Sequence, residues 1–457
     1  MMMMTINRKT MMQNIKYKLA ALLLLIGFSV TAQNNKVWTL QECVTHALEN
    51  NITIQRGENT LLINEQDIIG AKGNFLPSVS GSVGHSLGIG TNRVDIGQQQ
   101  VVVDRTTNST NLSVNVNQNI FNGFRTTNLY KQAQLNLETN KLELNRMRDD
   151  ISLNVANAYL NVLFNKERLE TAKAQYEFSK KQLQQVKDLV DAGVQPRANI
   201  YDVEATLSTD EQSVTVANNN YTLALLNLSQ LLQVPFEGFN VEIIDIDTPS
   251  AELMYRDIKP ILNYALENRN EIKVAEKNIE NAELSTEISK SGFMPSVSAS
   301  YGLGTNAFFT NLSQTEASFF QQFKDQKSHR FSLNVNIPIF SRFQNKTAVA
   351  KSKIREENSK LDLDQAKLTL ESNIQRAFTD AQAALKAYIA AQKSLEAQQL
   401  SFSNTQERYN LGNMNAFELE QARIRLINAE SSLINAKYDF VFKTKVLDFY
   451  IGKTIVL

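Results

Sequence analysis

Little in this 457-residue chain points to chemistry. It has one cysteine, Cys43, which excludes a disulfide framework and a cysteine-ligated zinc site. Its three histidines, His46, His85 and His329, stand far apart, with no helical metal-ligand spacing among them. The 47 basic residues balance 47 acidic ones, so no net field recruits nucleic acid or an anionic surface. No P-loop, HExxH, GxSxG or CxxC pattern occurs. The glycine-rich LGIGTN and YGLGTN lack the GxGxxG spacing and end strands rather than open helices. No enzyme and no cofactor is read from such a chain.

Long apolar runs are also scarce. Arg8, Lys9, Lys16 and Lys18 precede the 12-residue LAALLLLIGFSV, and Val30 and Ala32 supply small residues before Gln33. A basic region, a short apolar core and a small-residue site read as a cleaved secretory signal over residues 1–32. No other stretch approaches the roughly 20 apolar residues that a membrane helix needs. Cys43 shares the stripe Leu40, Val44, Ala47 and Leu48 of a short helix, so it is read as a buried structural thiol and not as a lipid anchor.

What the chain has in plenty is itself. FLPSVSGS at Phe75 returns as FMPSVSAS at Phe293, so that Pro77 and Pro295 lie 218 residues apart. LSVNVNQNIFNGF returns as FSLNVNIPIFSRF, and Gly193 matches Gly412, both at an offset of 219. Two tandem repeats follow, 33–236 and 257–457, joined by a proline-bearing stretch at 237–256.

Each repeat changes texture partway. After PSVS, apolar and Ser/Asn residues alternate with period two, which predicts strands of roughly ten residues. Four are expected, in hairpins at about 76–121 and 294–340, each split by a polar loop, near 91–110 and 305–329. Ser80, Ser82, Asn115, Asn117, Ser298, Ser300, Asn334 and Asn336 share the polar face. Glycine and proline then vanish from Phe124 to Ala192 and again from Ile339 to Leu411, Pro338 aside. Uninterrupted segments rich in Ala, Leu, Lys, Gln and Glu predict long helices, packed in hairpins at about 124–233 and 343–450. Their three–four apolar spacing includes many small residues, which suits close packing against neighbouring helices.

Four ten-residue strands with one apolar and one polar face fit either a half-solvated antiparallel sheet or part of a transmembrane barrel. Phe75, Phe121, Phe124, Phe293, Phe340 and Phe343 cluster where strand meets helix, where an interfacial aromatic girdle belongs. Four strands cannot close a barrel, so the barrel reading demands several copies of the chain.

At this point the sequence resembles the TolC-like outer membrane efflux proteins. The carriers are WTLQECVTHALENN, the paired LPSVS and MPSVS, NIFNGF and PIFSRF, and the segments AGVQPRANIYDVEA and LGNMNAFELEQARI. The resemblance implies a homotrimer: a mainly α cylinder with a twelve-stranded barrel in outer-membrane lipid and a coiled-coil tunnel across the periplasm. It implies a passive exit channel for small molecules or an exported protein. The implied partners are a periplasmic adaptor and an inner-membrane pump of the RND or ABC type, with no nucleic acid. It further implies that Glu418, Gln421, Asn199 and Asp202 line a periplasmic constriction. Gln421 is not acidic, so the constriction charge is thinner than the family's pattern. The turns Gly193, Val194, Gln195, Pro196 and Gly412, Asn413, Met414, Asn415 correspond to the adaptor-docking tips. The rival reading is a secreted coiled-coil scaffold without channel activity. The loop with Phe308, Phe309, Phe319, Phe320 and Phe323 is expected to pack against the barrel rim.

Overall fold

The computed structural model of the chain describes residues 36–96, 99–243, 255, 257–313 and 317–453. The signal segment at 1–32 and most of the joining stretch at 237–256 lie outside the described residues. The duplication is legible in element lengths. The first repeat contains α1 (Leu40–Asn50), α2 (Ile52–Gly73), β2 (Ser78–Ile96), β3 (Gln99–Asn122), α3 (Arg125–Asp191) and α4 (Ala198–Leu232). The second contains α5 (Lys259–Asn268), α6 (Asn270–Lys290), β5 (Ser296–Thr310), α7 (Phe319–Asp325), β6 (Ser328–Asn336), α8 (Gln344–Asn410) and α9 (Ala416–Tyr450). Helices α3 and α8 both run 67 residues, and α4 and α9 both run 35. At 1.5 Å per residue the long pair extends about 100 Å.

Local chemistry sets the boundaries. Thr39 and Glu42 form a capping box that opens α1: Thr39 Oγ1 accepts from the Glu42 amide at 3.1 Å, and Glu42 accepts from the Thr39 amide at 3.0 Å. Asn51 ends α1 and caps α2, accepting from the Thr53 amide at 2.9 Å. Where strand becomes helix, two successive residues turn left-handed: Gly123 (φ 66°) with Phe124 (φ 64°), and Arg342 (φ 49°) with Phe343 (φ 63°). Glycine is required at the first of these junctions. A Cβ on Gly123 would lie 2.7 Å from the Met294 side chain and 2.9 Å from the Ser291 carbonyl, where the two repeats touch.

The strands form one antiparallel sheet in the order β2-β3-β5-β6. Their length corrects the expectation from sequence. β2 and β3 run 19 and 24 residues, and the segment expected to be a polar loop at 91–110 is mostly ladder, with Asn92 opposite Val103 and Gly90 opposite Arg105. The alternation fails there because Thr91, Arg93 and Asp95 replace the apolar run Val83, Leu87, Ile89 on one face. Backbone pairing continues without apolar periodicity. Likewise β5 extends to Thr310, and the rest of the expected loop at 305–329 contains α7. In the opposite sense, Ile337 and Ile339, read as strand, fall beyond β6, because Pro338 between them has no N–H for a ladder.

The main core lies where α1, α3, α4 and the end of α9 meet. Tyr159, Val162, Leu163, Leu228 and Leu232 are almost wholly buried there with Cys43. A short parallel ladder, unforeseen in the sequence, seals it: β1 (Val37–Trp38) pairs with β4 (Asn240–Val241), and Tyr159 Oη donates to the Glu242 carbonyl at 2.7 Å. Two-residue strands leave no periodicity to read. A second core joins α5, α6, α8 and Leu447 around Ile261, Ile272 and Ile374. At its border the Arg269 guanidinium lies 4.1 Å over the Phe449 ring and pairs with Asp149 at 3.5 Å.

Burial pushes the Cys43 thiol up to about 12. The thiolate is the reactive form, so iodoacetamide at pH 8 should leave the folded protein unmodified and alkylate Cys43 only under denaturing conditions. Mass spectrometry of native and denatured samples checks this, and modification of the native protein would contradict the buried placement.

Candidate channel-forming site

Strand register decides which side chains share a face. Ser80 stands opposite Asn115, which stands opposite Gly302; Asn117 opposite Ser300; Ser298 opposite Asn334; and Ser296 opposite Asn336. With Ser82 opposite Ser113, all eight residues assigned to a polar wall lie on one continuous face. Hydroxyl pairs cross the strands there at 2.7 Å, Ser82 with Ser113 and Ser86 with Ser109. The other face carries the rows Val79–Val116–Tyr301–Phe331 and Val114–Leu303. Val79, Val83, Leu87, Phe331, Leu333 and Val335 are all exposed on it. Such an apolar patch is out of place against water and suits hydrocarbon. The phenylalanines at the strand-to-helix junctions pair edge to face, Phe121 with Phe124 at 5.3 Å and Phe340 with Phe343 at 5.7 Å.

Of the aromatic loop, Phe309 stacks on Phe319 at 6.5 Å and Phe319 meets Phe323 at 4.7 Å, so α7 packs on β5. Gln322 is buried, and its Oε1 accepts from the Phe308 amide at 2.8 Å, beyond the point where β6 ends. Phe308 itself leaves this cluster. It stands opposite Ser109, on the polar face.

At the far end of the helices the two tips are built alike. Gly193 (φ 76°) donates to the Val190 carbonyl at 2.9 Å and Val194 to that of Leu189 at 2.9 Å. Gly412 (φ 73°) and Asn413 repeat this with Tyr409 at 3.0 Å and Arg408 at 2.9 Å. Both are Schellman endings, and a Cβ on either glycine would meet nothing within 4 Å, so glycine is needed there for its backbone alone. Pro196 precedes the α4 N-cap residue Arg197, and Val194 and Tyr201 at this tip and Leu411 and Phe417 at the other are exposed. Met414 is half-buried.

The return helices begin differently. Asn415 accepts from the Glu418 amide at 2.9 Å, and Glu418 accepts from the Asn415 amide at 3.3 Å, a second capping box. Glu418 is thus a helix cap as well as an exposed carboxylate, and Gln421 is exposed one turn on. In the first tip, Asn199 donates to Gln195 at 3.3 Å, and Gln195 donates to the Tyr409 hydroxyl at 3.3 Å, tying one tip to the other hairpin. Asp202 is exposed on α4.

Sequence reasoning missed a buried polar network behind these tips. Ser179 of α3 donates to Asp210 of α4 at 2.5 Å; Arg423 of α9 donates to Asp210 at 2.9 Å; and Glu420 holds the other edge of the guanidinium with two contacts of 2.9 Å. Burial pulls the Arg423 pKa down, but the carboxylates of Glu420 and Asp210 outweigh it and the net shift is upward. The signal was present. Arg423 occupies an i+4 position on the stripe of Leu419 and Ala422, where an apolar residue is the rule.

Arg423→Met should cost about 3–5 kcal/mol, because it strands a buried carboxylate. Adding Asp210→Asn should recover part of that loss. Denaturant unfolding followed by circular dichroism at 222 nm checks the order, and equal midpoints for the single and double variants would contradict it.

The family model for outer membrane efflux proteins matches residues 44–233 and 261–453. The outer membrane efflux protein BepC of Brucella suis biovar 1 (strain 1330) is 20% identical over 442 residues, 96% of this chain and 91% of that protein. Among solved structures, the outer membrane protein VceC of Vibrio cholerae superposes with a TM-score of 0.71 at 16% identity, covering 91% of this chain and 97% of that one. The Campylobacter jejuni outer membrane channel CmeC gives 0.74 at 18% identity, covering 92% and 86%. These proteins are channels of the outer membrane with a periplasmic helical tunnel, not enzymes. The tandem repeat, the two-faced sheet and the paired helical hairpins are thus family features, and the chain belongs to the outer membrane efflux proteins.

Proposed function

We propose that this protein is the passive exit duct of a tripartite efflux or type I secretion system. It would work as a homotrimer whose three sheets close a twelve-stranded barrel. The observation that carries this reading is the sheet itself. β2 and β6 are its two edges, and β2 offers 19 residues of backbone with no strand on its outer side among the described residues. Its edge is rich in serine and glycine and carries no proline or lysine to block pairing. A four-stranded sheet is too narrow to close on itself, whereas rotation brings β6 of one copy to β2 of the next. Lipid then covers the apolar face and the Ser/Asn face lines the lumen. A soluble scaffold would leave that apolar face in water, which disfavours the rival reading.

The tips are the proposed seat of a periplasmic adaptor. Exposed Val194 and Leu411 stand on the Schellman turns and Phe417 in the first turn of α9, an apolar surface in an otherwise polar helical end. The pump beyond the adaptor, of the RND or ABC type, supplies the energy, since the duct holds no nucleotide or cofactor motif. Small molecules or an exported protein are the proposed cargo. Asn199, Asp202, Glu418 and Gln421 are the proposed narrowing of the entrance.

Purified trimers should conduct in planar bilayers, and an electrically silent protein would favour a scaffold. Glu418→Gln keeps the capping box, because glutamine also accepts from the Asn415 amide, while it removes one carboxylate per copy. It should leave thermal stability unchanged and lower the cation-to-anion permeability ratio by about 2-fold. An unchanged ratio would leave Glu418 as a cap only. Gly412→Val forces a β-branched residue into left-handed backbone at a cost of about 1–2 kcal/mol. Adaptor co-purification should fall sharply, and normal recovery would place the docking surface elsewhere.

A further inference from the structure

The polar face of the sheet is not free of charge, as its Ser/Asn pattern suggests, and its charge has one sign. Arg330 stands opposite Gly302, in the row of Ser80 and Asn115, and Arg105 stands opposite Gly90. Both side chains therefore belong to the Ser/Asn face. The carboxylates of the strands are on the other one. Asp104 is opposite Thr91 and Asp95 opposite Gln100, in the register of Val79 and Leu87. His85, His329 and Arg93 share that outer face. The ion pairs of the described residues run through the helices and the chain ends, and none includes Arg105 or Arg330. Glu316 lies outside the described residues.

Arg105 sits in a built recess. Its guanidinium lies 5.7 Å from the centre of the Phe308 ring, the one aromatic side chain that the register places on this face of β5. The Asn92 amide, with its oxygen toward Arg105, accepts from Nη1 at 3.1 Å and donates to the Thr91 carbonyl at 3.1 Å. Arg105 Nε is buried and has no hydrogen-bond partner. Gly88, Ile89, Gly90, Asn92, Arg105, Thr107 and Phe308 line a shallow, widely open depression of about 390 Å³, enough to seat a substituted aromatic ring. Glycines set the depth: a Cβ on Gly88 would lie 2.7 Å from Thr107 Oγ1. A planar cation with spare donors beside an aromatic face suits a flat anion. The fork meets a carboxylate or sulfonate, and the ring meets Phe308.

We propose that the barrel lumen carries an anion-attracting lining at two levels, Arg330 nearer the helices and Arg105 farther from them, and that the Arg105–Phe308 recess is a subsite for aromatic organic anions. The inference rests on the reading of this sheet as one third of a barrel. In the trimer each arginine occurs three times around the lumen, at two levels. The levels are separated by ten residues of β3, about 34 Å along the strand. Three guanidiniums per level bias ion occupancy within about a screening length, roughly 8–10 Å at 0.1–0.15 M salt, of the lumen wall.

The test uses full-length trimer in planar bilayers, in a Glu418→Gln/Asp202→Asn background that removes the entrance carboxylates. Reversal potentials across a KCl gradient should show chloride preference. Arg105→Gln/Arg330→Gln should lower the chloride-to-potassium permeability ratio by about 3-fold or more, and Arg105→Lys/Arg330→Lys should restore it. 1-Naphthalenesulfonate added at the strand end should block the current, and Arg105→Gln or Phe308→Ala should relieve the block by about 10-fold in concentration. A ratio that ignores the double glutamine variant, or a block indifferent to Arg105, overturns the proposal while the channel reading stands. A background trimer that passes no current overturns both.

Discussion

The constraint on which everything else depends is the passage from strand to helix. A chain leaving β3 or β6 must redirect from a ladder into a helix 67 residues long, and it does so through two successive left-handed residues. Phe124 and Phe343 are not glycines, and holding such side chains at positive φ costs about 1–2 kcal/mol each. The edge-to-face pairs with Phe121 and Phe340 return a similar amount, about 0.5–1.5 kcal/mol each. In the proposed barrel the same rings would lie where lipid headgroups meet the strands, so one aromatic pair would support both a strained backbone and a membrane boundary. Because the junction is written twice, both repeats leave the sheet in the same direction, and the equal helices that follow end level with one another.

At the opposite end the requirement reverses. The helices must stop together, and Gly193 and Gly412 stop them by the same hydrogen-bond pattern. Between the two ends, packing is unequal. The membrane-distal stretch of helix is held by the Ser179–Asp210–Arg423–Glu420 network, which joins three helices from both repeats through charge. The main cores hold the middle of the long helices through aliphatic and aromatic contacts. A buried guanidinium is directional where an aliphatic contact is not. The network therefore sets the register of α9 against α3 and α4 near the tips, where a packed row of alanines and leucines would allow sliding.

Much was legible because the chain repeats its signals. Periodicity of two located every strand of the sheet, and the loss of glycine and proline located both ends of α3 and the end of α8 to within a residue, while it began five residues ahead of α8. The errors have physical causes. The outer halves of β2 and β3 escaped notice because pairing there is carried by backbone hydrogen bonds alone, with Arg93, Asp95 and Asp104 interrupting the apolar rows. Ile337 and Ile339 kept the alternation past Pro338, which ends the ladder regardless. The two-residue ladder between Val37–Trp38 and Asn240–Val241 joins segments about 200 residues apart and is too short to leave any pattern.

The sequence by itself determined the duplication, the alternation of faces, the lengths of the helices and the turns that end them. Each of these is local, set by a residue's own backbone preference or by neighbours two to four positions away. Only the tertiary structure decided which distant side chains share a wall. Arg105 and Arg330 join the Ser/Asn face, while Asp95 and Asp104 stand on the other, because strand register assigns sides across chain separations that no local pattern spans. Arg423 meets Asp210 across 213 residues for the same reason: a buried charge finds its partner through packing, not through proximity along the chain.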